Sequence, residues 1–341
     1  MTVLALVMAN VCAVPMLCAQ QTATPVLSLK TTSIGVTAAS NIYVNANDDP
    51  VCDVAGNVYV RIERPGDKLA LLPILRITRE GKWGGIFPAP GSTAGLVRGV
   101  FVTPEGVVYR LVAGGRGTPP KYADKGYHVR EYALDGSVKA DTPLGLEPNV
   151  MEPWHLAVFR SGGFLVAGAT REQIPSAFTA VFAPDGKLVK RIYEPEDEQA
   201  RLKGQMEWRQ GAMDAGDNYA LSSGLAAGSD GNVYLLRGVY PTHVDVVSPA
   251  GEVVRKLRID TGNPDLRAHG IEFYDGHLAI GFDRMNDGEG QLVKVIDLEG
   301  KGIADYSVGA GLEESRLACY GPEGFTMVSD GPNPLLLRAK P

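Results

Sequence analysis

The chain has 341 residues, with 41 Gly, 23 Pro, 45% hydrophobic and 7% aromatic residues, and a formal charge of −6. So mild an acidic balance, with no long basic run, excludes the usual nucleic-acid footprint. The Gly and Pro content suits a turn-rich all-β protein with ample apolar material for a core.

Thr2 to Ala19 carries no charged side chain and ends in small residues before Gln20-Gln21-Thr22, which reads as a signal peptide over residues 1–19. No Lys or Arg follows Met1, while Pro15 and the shortness of the run argue against an uncleaved anchor. The expectation is a secreted or periplasmic protein with no membrane span after cleavage. Cleavage takes Cys12 and Cys18 and leaves Cys52 and Cys319. These two stand four and five residues ahead of turn glycines in the first and last repeats, with opposite side-chain parity. In an oxidising compartment they could pair, or serve simply as two small buried hydrophobes.

From Cys52 onward one phrase recurs six times: an apolar run, a tight glycine turn, and another apolar run. The turn glycines read as Gly56, Gly106, Gly163, Gly231, Gly276 and Gly324, with gaps of 50, 57, 68, 45 and 48 residues. A period of that size marks a repeat architecture. Second turns follow downstream in ITREGKW, YALDGSV, FAPDGKLV, VSPAGEVV and IDLEGKGI. Two hairpins per repeat give four short antiparallel strands, and six such sheets close radially as a six-bladed β-propeller over residues 26–341. The sixth repeat lacks its second turn, so the unpartnered strand Val26 to Gly35 is expected to supply the outer strand of the last blade. The longest gap holds an insertion at 194–222, whose charged start, Glu194 to Gln210, suits a short helix better than a hidden seventh blade.

The turns Asp230-Gly231-Asn232-Val233-Tyr234 and Ala55-Gly56-Asn57-Val58-Tyr59 resemble those of NHL-repeat, TolB-like and gluconolactonase-like six-bladed propellers. The resemblance implies the fold and little else, because lyases, lactonases, binding modules and scaffolds share it. Gluconolactonase-like members hold a divalent metal with acidic and amide side chains. The corresponding ring here offers one Asp and no Glu or Asn, so the resemblance does not extend to a metal site; no cofactor is expected, and a requirement for a divalent metal stays open. His269 can be compared with the channel His of streptogramin-lyase-like members.

Both glycine turns of a blade fall on one face, which gathers the longer connections on the other, where binding residues concentrate. The innermost strand of each blade begins on that long-loop face. Its mouth positions read Asp48, Arg98, His155, Ser223, His269 and Arg316, with Trp154 beside them. One half-ring is Arg–Asp–Arg, the other His–Ser–His. Arg98 and Arg316 could take a carboxylate, sulfate or phosphate through forked hydrogen bonds, with Asp48, Ser223 and Trp154 completing a ligand site. His155 or His269 could act as general acid or base. Asp48 could equally balance the two Arg as an inert cluster, since like charges ~10 Å apart repel by only about 0.4 kcal/mol in water.

Other signals are weaker. AGGRGTPPK (Ala113 to Lys121) lacks Walker spacing, and DRMNDGEG (Asp283 to Gly290) reads as a solvated turn before a calcium loop. No HExxH, CxxC pair or GxSxG occurs. The leading reading is an exported, monomeric propeller that binds a small anionic ligand or an envelope protein on its long-loop face. The alternatives are a lyase or lactone/ester hydrolase acting on a carboxylated substrate, and a non-catalytic scaffold with a sealed channel.

Overall fold

The computed structural model describes residues 26–36, 43–45, 50–63, 73–88, 99–113, 126–146, 151–170, 177–192, 222–238, 242–263, 266–284, 291–308, 315–329 and 335–340. The signal-peptide segment, most of the 194–222 insertion, Asp48 and Arg98 lie outside these residues.

Strands β1 (Val26–Ser28) and β2 (Lys30–Gly35) precede the first blade, which comprises β3 (Tyr43–Asn45), β4 (Val51–Cys52), β5 (Val58–Glu63), β6 (Ile74–Ile77) and β7 (Trp83–Phe87). Blade two is β8 (Val100–Val102), β9 (Val108–Ala113), β10 (Tyr127–Tyr132) and β11 (Val138–Leu144). Blade three is β12 (Met151–Val158), β13 (Phe164–Thr170), β14 (Ala177–Phe182) and β15 (Leu188–Ile192). Blade four is β16 (Ser222–Ala227), β17 (Val233–Arg237), β18 (His243–Val247) and β19 (Val253–Arg258). Blade five is β20 (Leu266–Tyr274), β21 (His277–Arg284), β22 (Gln291–Asp297) and β23 (Gly302–Val308). Blade six is β24 (Ser315–Gly321), β25 (Gly324–Ser329) and β26 (Leu335–Lys340), with β2 as its outer strand.

The six sheets form one ring. Inner strands touch in the order β4, β8, β12, β16, β20, β24 and back to β4. Each of the six seams between blades holds its own buried apolar cluster. Middle strands are packed on both sides, which is why β17 (VYLLR) reads as a near-continuous apolar run and is wholly buried. Outer strands such as β11 and β19 face water and alternate loosely.

Closure differs from expectation in one detail. Lys30–Gly35 pairs antiparallel with β26 in the last blade, but Val26–Ser28 pairs parallel with β23 in blade five. The break falls at Leu29, whose side chain drops into the core between blades five and six while its N–H donates to Ser307 O at 3.2 Å. The N-terminal segment thus straps two blades.

A disulfide adds to that closure: Cys52 on β4 and Cys319 on β24 are joined, with Cα atoms 5.5 Å apart.

The repeated turn phrase has a side-chain explanation. Asp53 receives hydrogen bonds from Asn57 N at 2.9 Å, Asn57 Nδ2 at 2.8 Å and Tyr59 OH at 3.0 Å. Asp230 receives the same set from Asn232 N, Asn232 Nδ2 and Tyr234 OH at 3.1, 2.8 and 2.9 Å. Burial first, then the carboxylate partner, raises both phenol pKa values, so each Tyr remains a donor. In the third repeat the left-handed residue is Gly162, with φ at 88°, and not Gly163. Gly163 is needed for another reason: a Cβ there would lie 2.7 Å from Phe182 O.

Candidate functional site

Among the described residues, four inner strands carry a β-bulge. The unpaired residues are Trp154 on β12, Ser223 on β16, His269 on β20 and Ala318 on β24. A bulge inserts one residue against its partner strand, bends the chain and re-aims the side chain at that point. Counting back a fixed distance from each turn glycine therefore does not give equivalent positions. Ser223 and His269 are bulge residues, His155 pairs with Ala167 just after its bulge, and Arg316 pairs with Val328 two residues before Ala318.

The ring brings His269 and Arg316 together through a residue on the second strand of blade five, Asp283. Arg316 Nη1 donates to Asp283 Oδ2, and Asp283 Oδ1 stands 3.5 Å from His269 Nε2. The three side chains are 22%, 28% and 10% exposed for Arg316, Asp283 and His269. Both ring nitrogens of His269 and Oδ1 of Asp283 are buried without a hydrogen-bond partner among the described residues. Burial, then the charge of Arg316, pushes the His269 pKa down from 6.5 to about 3, so the imidazole is neutral at pH 7. Burial raises the Asp283 carboxyl above its ordinary range, opposed by Arg316 and more weakly by Arg267.

Glycine on the neighbouring strand makes room for the ring. A Cβ at Gly281 would lie 2.6 Å from His269 Cε1 and 2.9 Å from Nε2. Gly281→Ala is expected to displace the imidazole and cost about 1–3 kcal/mol. Denaturation should show most of that loss relieved in Gly281→Ala/His269→Ala. An equal loss in the double variant would assign the cost to the backbone.

His155 sits apart from this trio. Its Nε2 lies 3.2 Å from Ser222 O, so a proton there is donated to the first residue of the next inner strand. Ser223 packs by Gly238, where a Cβ would be 2.0 Å from the Ser223 hydroxyl. Trp154 is half-buried. With Arg98 and Asp48 outside the described residues, the Arg–Asp–Arg half-ring is represented by Arg316 alone, and Asp283 is the carboxylate seen beside it.

Two features escaped the sequence reading. Asp283 was grouped with its own loop because the mouth positions were counted on innermost strands only. The second is a buried ion cluster in the seam of blades three and four. There Arg237 Nε donates to Asp245 Oδ2 at 3.2 Å, Arg237 Nη2 to Thr179 Oγ1 at 3.2 Å, and Lys256 Nζ lies 3.9 Å from Asp245 Oδ1. The signal available was a lone Asp inside the apolar strand HVDVV.

Asp283 commits one oxygen to Arg316, and no three His, Cys, Asp or Glu side chains converge among the described residues. Nor does any helix among them have the length and apolarity to cross a membrane.

No protein-family model matches the chain, and no curated protein matches it. Among solved structures, a protein of unknown function from Bacteroides caccae aligns at 15% identity and a TM-score of 0.49, covering 82% of this chain and 94% of that one. A gluconolactonase from Xanthomonas campestris aligns at 13% identity and 0.47, covering 90% and 97%. The PQQ-bound form of an aldose sugar dehydrogenase from Streptomyces coelicolor aligns at 12% identity and 0.43, covering 93% and 100%. The six-bladed assignment rests on the strand pairing and the six seams of this chain itself.

Proposed function

We propose that the protein is an exported propeller that binds a small organic anion at the long-loop mouth of its channel, with Arg316 as the charged anchor. The observation that carries this reading is the group of unpartnered buried polar atoms, His269 Nδ1 and Nε2 and Asp283 Oδ1, beside a guanidinium. Buried polar groups are ordinarily satisfied, so such a cluster calls for a ligand or ordered water. Neutral imidazole offers one donor and one acceptor, and the guanidinium supplies charge and a planar fork. The apolar run at Thr2 to Ala19 and the Cys52–Cys319 link both favour an oxidising compartment.

The Asp283–His269 contact also favours a second reading, a lactone or ester hydrolase. Its weakness is energetic: a base with a pKa of about 3 takes a proton poorly at neutral pH. Binding is the better account, and an envelope partner on the same face is the third.

A thermal-shift screen with D-glucuronate, other organic acids and inorganic phosphate tests the reading. Ligand at 100 times its Kd stabilises by about 2.7 kcal/mol, a rise of several degrees. Arg316→Ala should lose that rise, measured from its own baseline. Equal shifts in both proteins, or none in the wild type, would contradict the anchor. On a lactone panel, activity abolished in His269→Ala would favour the hydrolase.

A further inference from the structure

We infer that the ligand is a carboxylate monoanion that takes the place of Asp283 on Arg316, and that its binding carries one proton into the site. This rests on the anion-binding reading above.

The geometry supplies the exchange. Asp283 presents one oxygen to Arg316 and turns the other toward His269 Nε2, 3.5 Å away. It is itself a carboxylate on the anchor, and it shows which ligand chemistry the anchor accepts. With Asp283 ionised, the Arg316–Asp283 pair is neutral. An anion arriving without compensation would leave a second negative charge in a site only about a quarter open to water, which is costly. Protonating the displaced Asp283 removes that cost. The new carboxyl O–H then donates to His269 Nε2, which is uncharged and able to accept. The balance is simple: ligand carboxylate and one solvent proton enter, the Asp283–Arg316 hydrogen bond breaks, and a ligand–Arg316 bond and an Asp283–His269 bond form.

Among the described residues, the titratable groups on the strands around Asp283 are few. On β20 the titratable residues are Arg267, His269 and, toward the turn end, Glu272 and Tyr274; on β21 they are His277, at the far end, Asp283 and Arg284. β24 contributes Arg316 and, toward the turn end, Tyr320, while Cys319 is held in the disulfide. β16 and β25 carry no titratable side chain. On β22, Lys294 is paired with Asp305, and Asp297 lies at the turn end with its carboxylate on Lys301 N. From β17, Arg237 is held by Asp245 and Thr179.

Calorimetric titration of the mature wild-type chain with D-glucuronate tests this, between pH 5.5 and 8 and in two buffers of different ionisation enthalpy. The uronate is ionised throughout that range. Affinity should rise as pH falls, by up to about tenfold per unit, with buffer-dependent heat reporting uptake approaching one proton. Asp283→Asn should bind at least as tightly and lose both the pH dependence and the proton uptake. Binding that needs Arg316 but takes up no proton, with affinity level across the range, overturns the exchange and leaves the anion site standing. No binding by glucuronate, or binding indifferent to Arg316→Ala, overturns both. Tighter binding by inorganic phosphate than by glucuronate overturns the carboxylate assignment. The wild-type measurement decides the matter even if Asp283→Asn does not fold.

Discussion

Asp245→Ala is expected to destabilise the protein by about 3–5 kcal/mol, the largest loss from any single side chain named above. Asp245 is wholly buried and Arg237 is 1% exposed, so the guanidinium would lose the carboxylate that compensates it. The pair also reaches across a seam, since Thr179 belongs to blade three and Arg237 and Asp245 to blade four. Its removal should therefore loosen neighbouring blades and not one sheet alone. Replacing both partners by apolar groups of similar volume removes the uncompensated charge. Arg237→Met/Asp245→Leu should recover most of the loss in urea unfolding. A double variant as unstable as Asp245→Ala would show that the cost is lost packing.

Opening the Cys52–Cys319 link comes next. The bond closes 267 residues of sequence separation. Cross-links stabilise chiefly by restricting the unfolded chain, typically by 2–4 kcal/mol, with long loops toward the upper end. Reduction, or Cys319→Ser, should lower Tm by about 4–8 °C at constant pH. The effect falls on the seam between blades one and six, whose inner strands β4 and β24 the bond joins. β2 still clasps the last blade, so the ring is expected to stay folded at room temperature. An unchanged Tm on reduction, or alkylation of Cys52 and Cys319 without reductant, would contradict the link.

The fold was legible in the sequence because its determinants are local and periodic. Gly56, Gly106, Gly231, Gly276 and Gly324 all adopt positive φ, as tight hairpins require. Gly163 misled because Gly162 precedes it, and either could close the turn. The closing strand was readable from the missing partner of β26; its division at Leu29 was not, because only the assembled seam shows where that side chain is buried. Cysteine parity pointed at the right pair, but only the ring sets their separation. Of the candidate mouth positions legible in the sequence, the ring brings His269 and Arg316 together through Asp283. Asp283 was not joined to them, since its partners come from β20 and from the next blade, and the bulges at Trp154, Ser223, His269 and Ala318 leave no composition signal.

The pH dependence of stability follows from the same trio. In the unfolded chain a His takes its proton near 6.5, whereas folded His269 does so only near 3. Between those values the unfolded state binds the extra proton, so stability contributed by neutral His269 is lost as pH falls from about 6.5 toward 3. Asp283, raised in the folded state, works in the opposite sense and offsets part of that loss.

The most direct test is a nuclear magnetic resonance titration of the His269 ring in the wild-type protein. If the ring of blades seats this imidazole between β20, β21 and β24 beside Arg316, its resonances will stay at neutral-form positions from pH 8 down to pH 5. A His269 that titrates near 6.5 would mean that these strands do not enclose it, and the proposed anion site would lose its foundation.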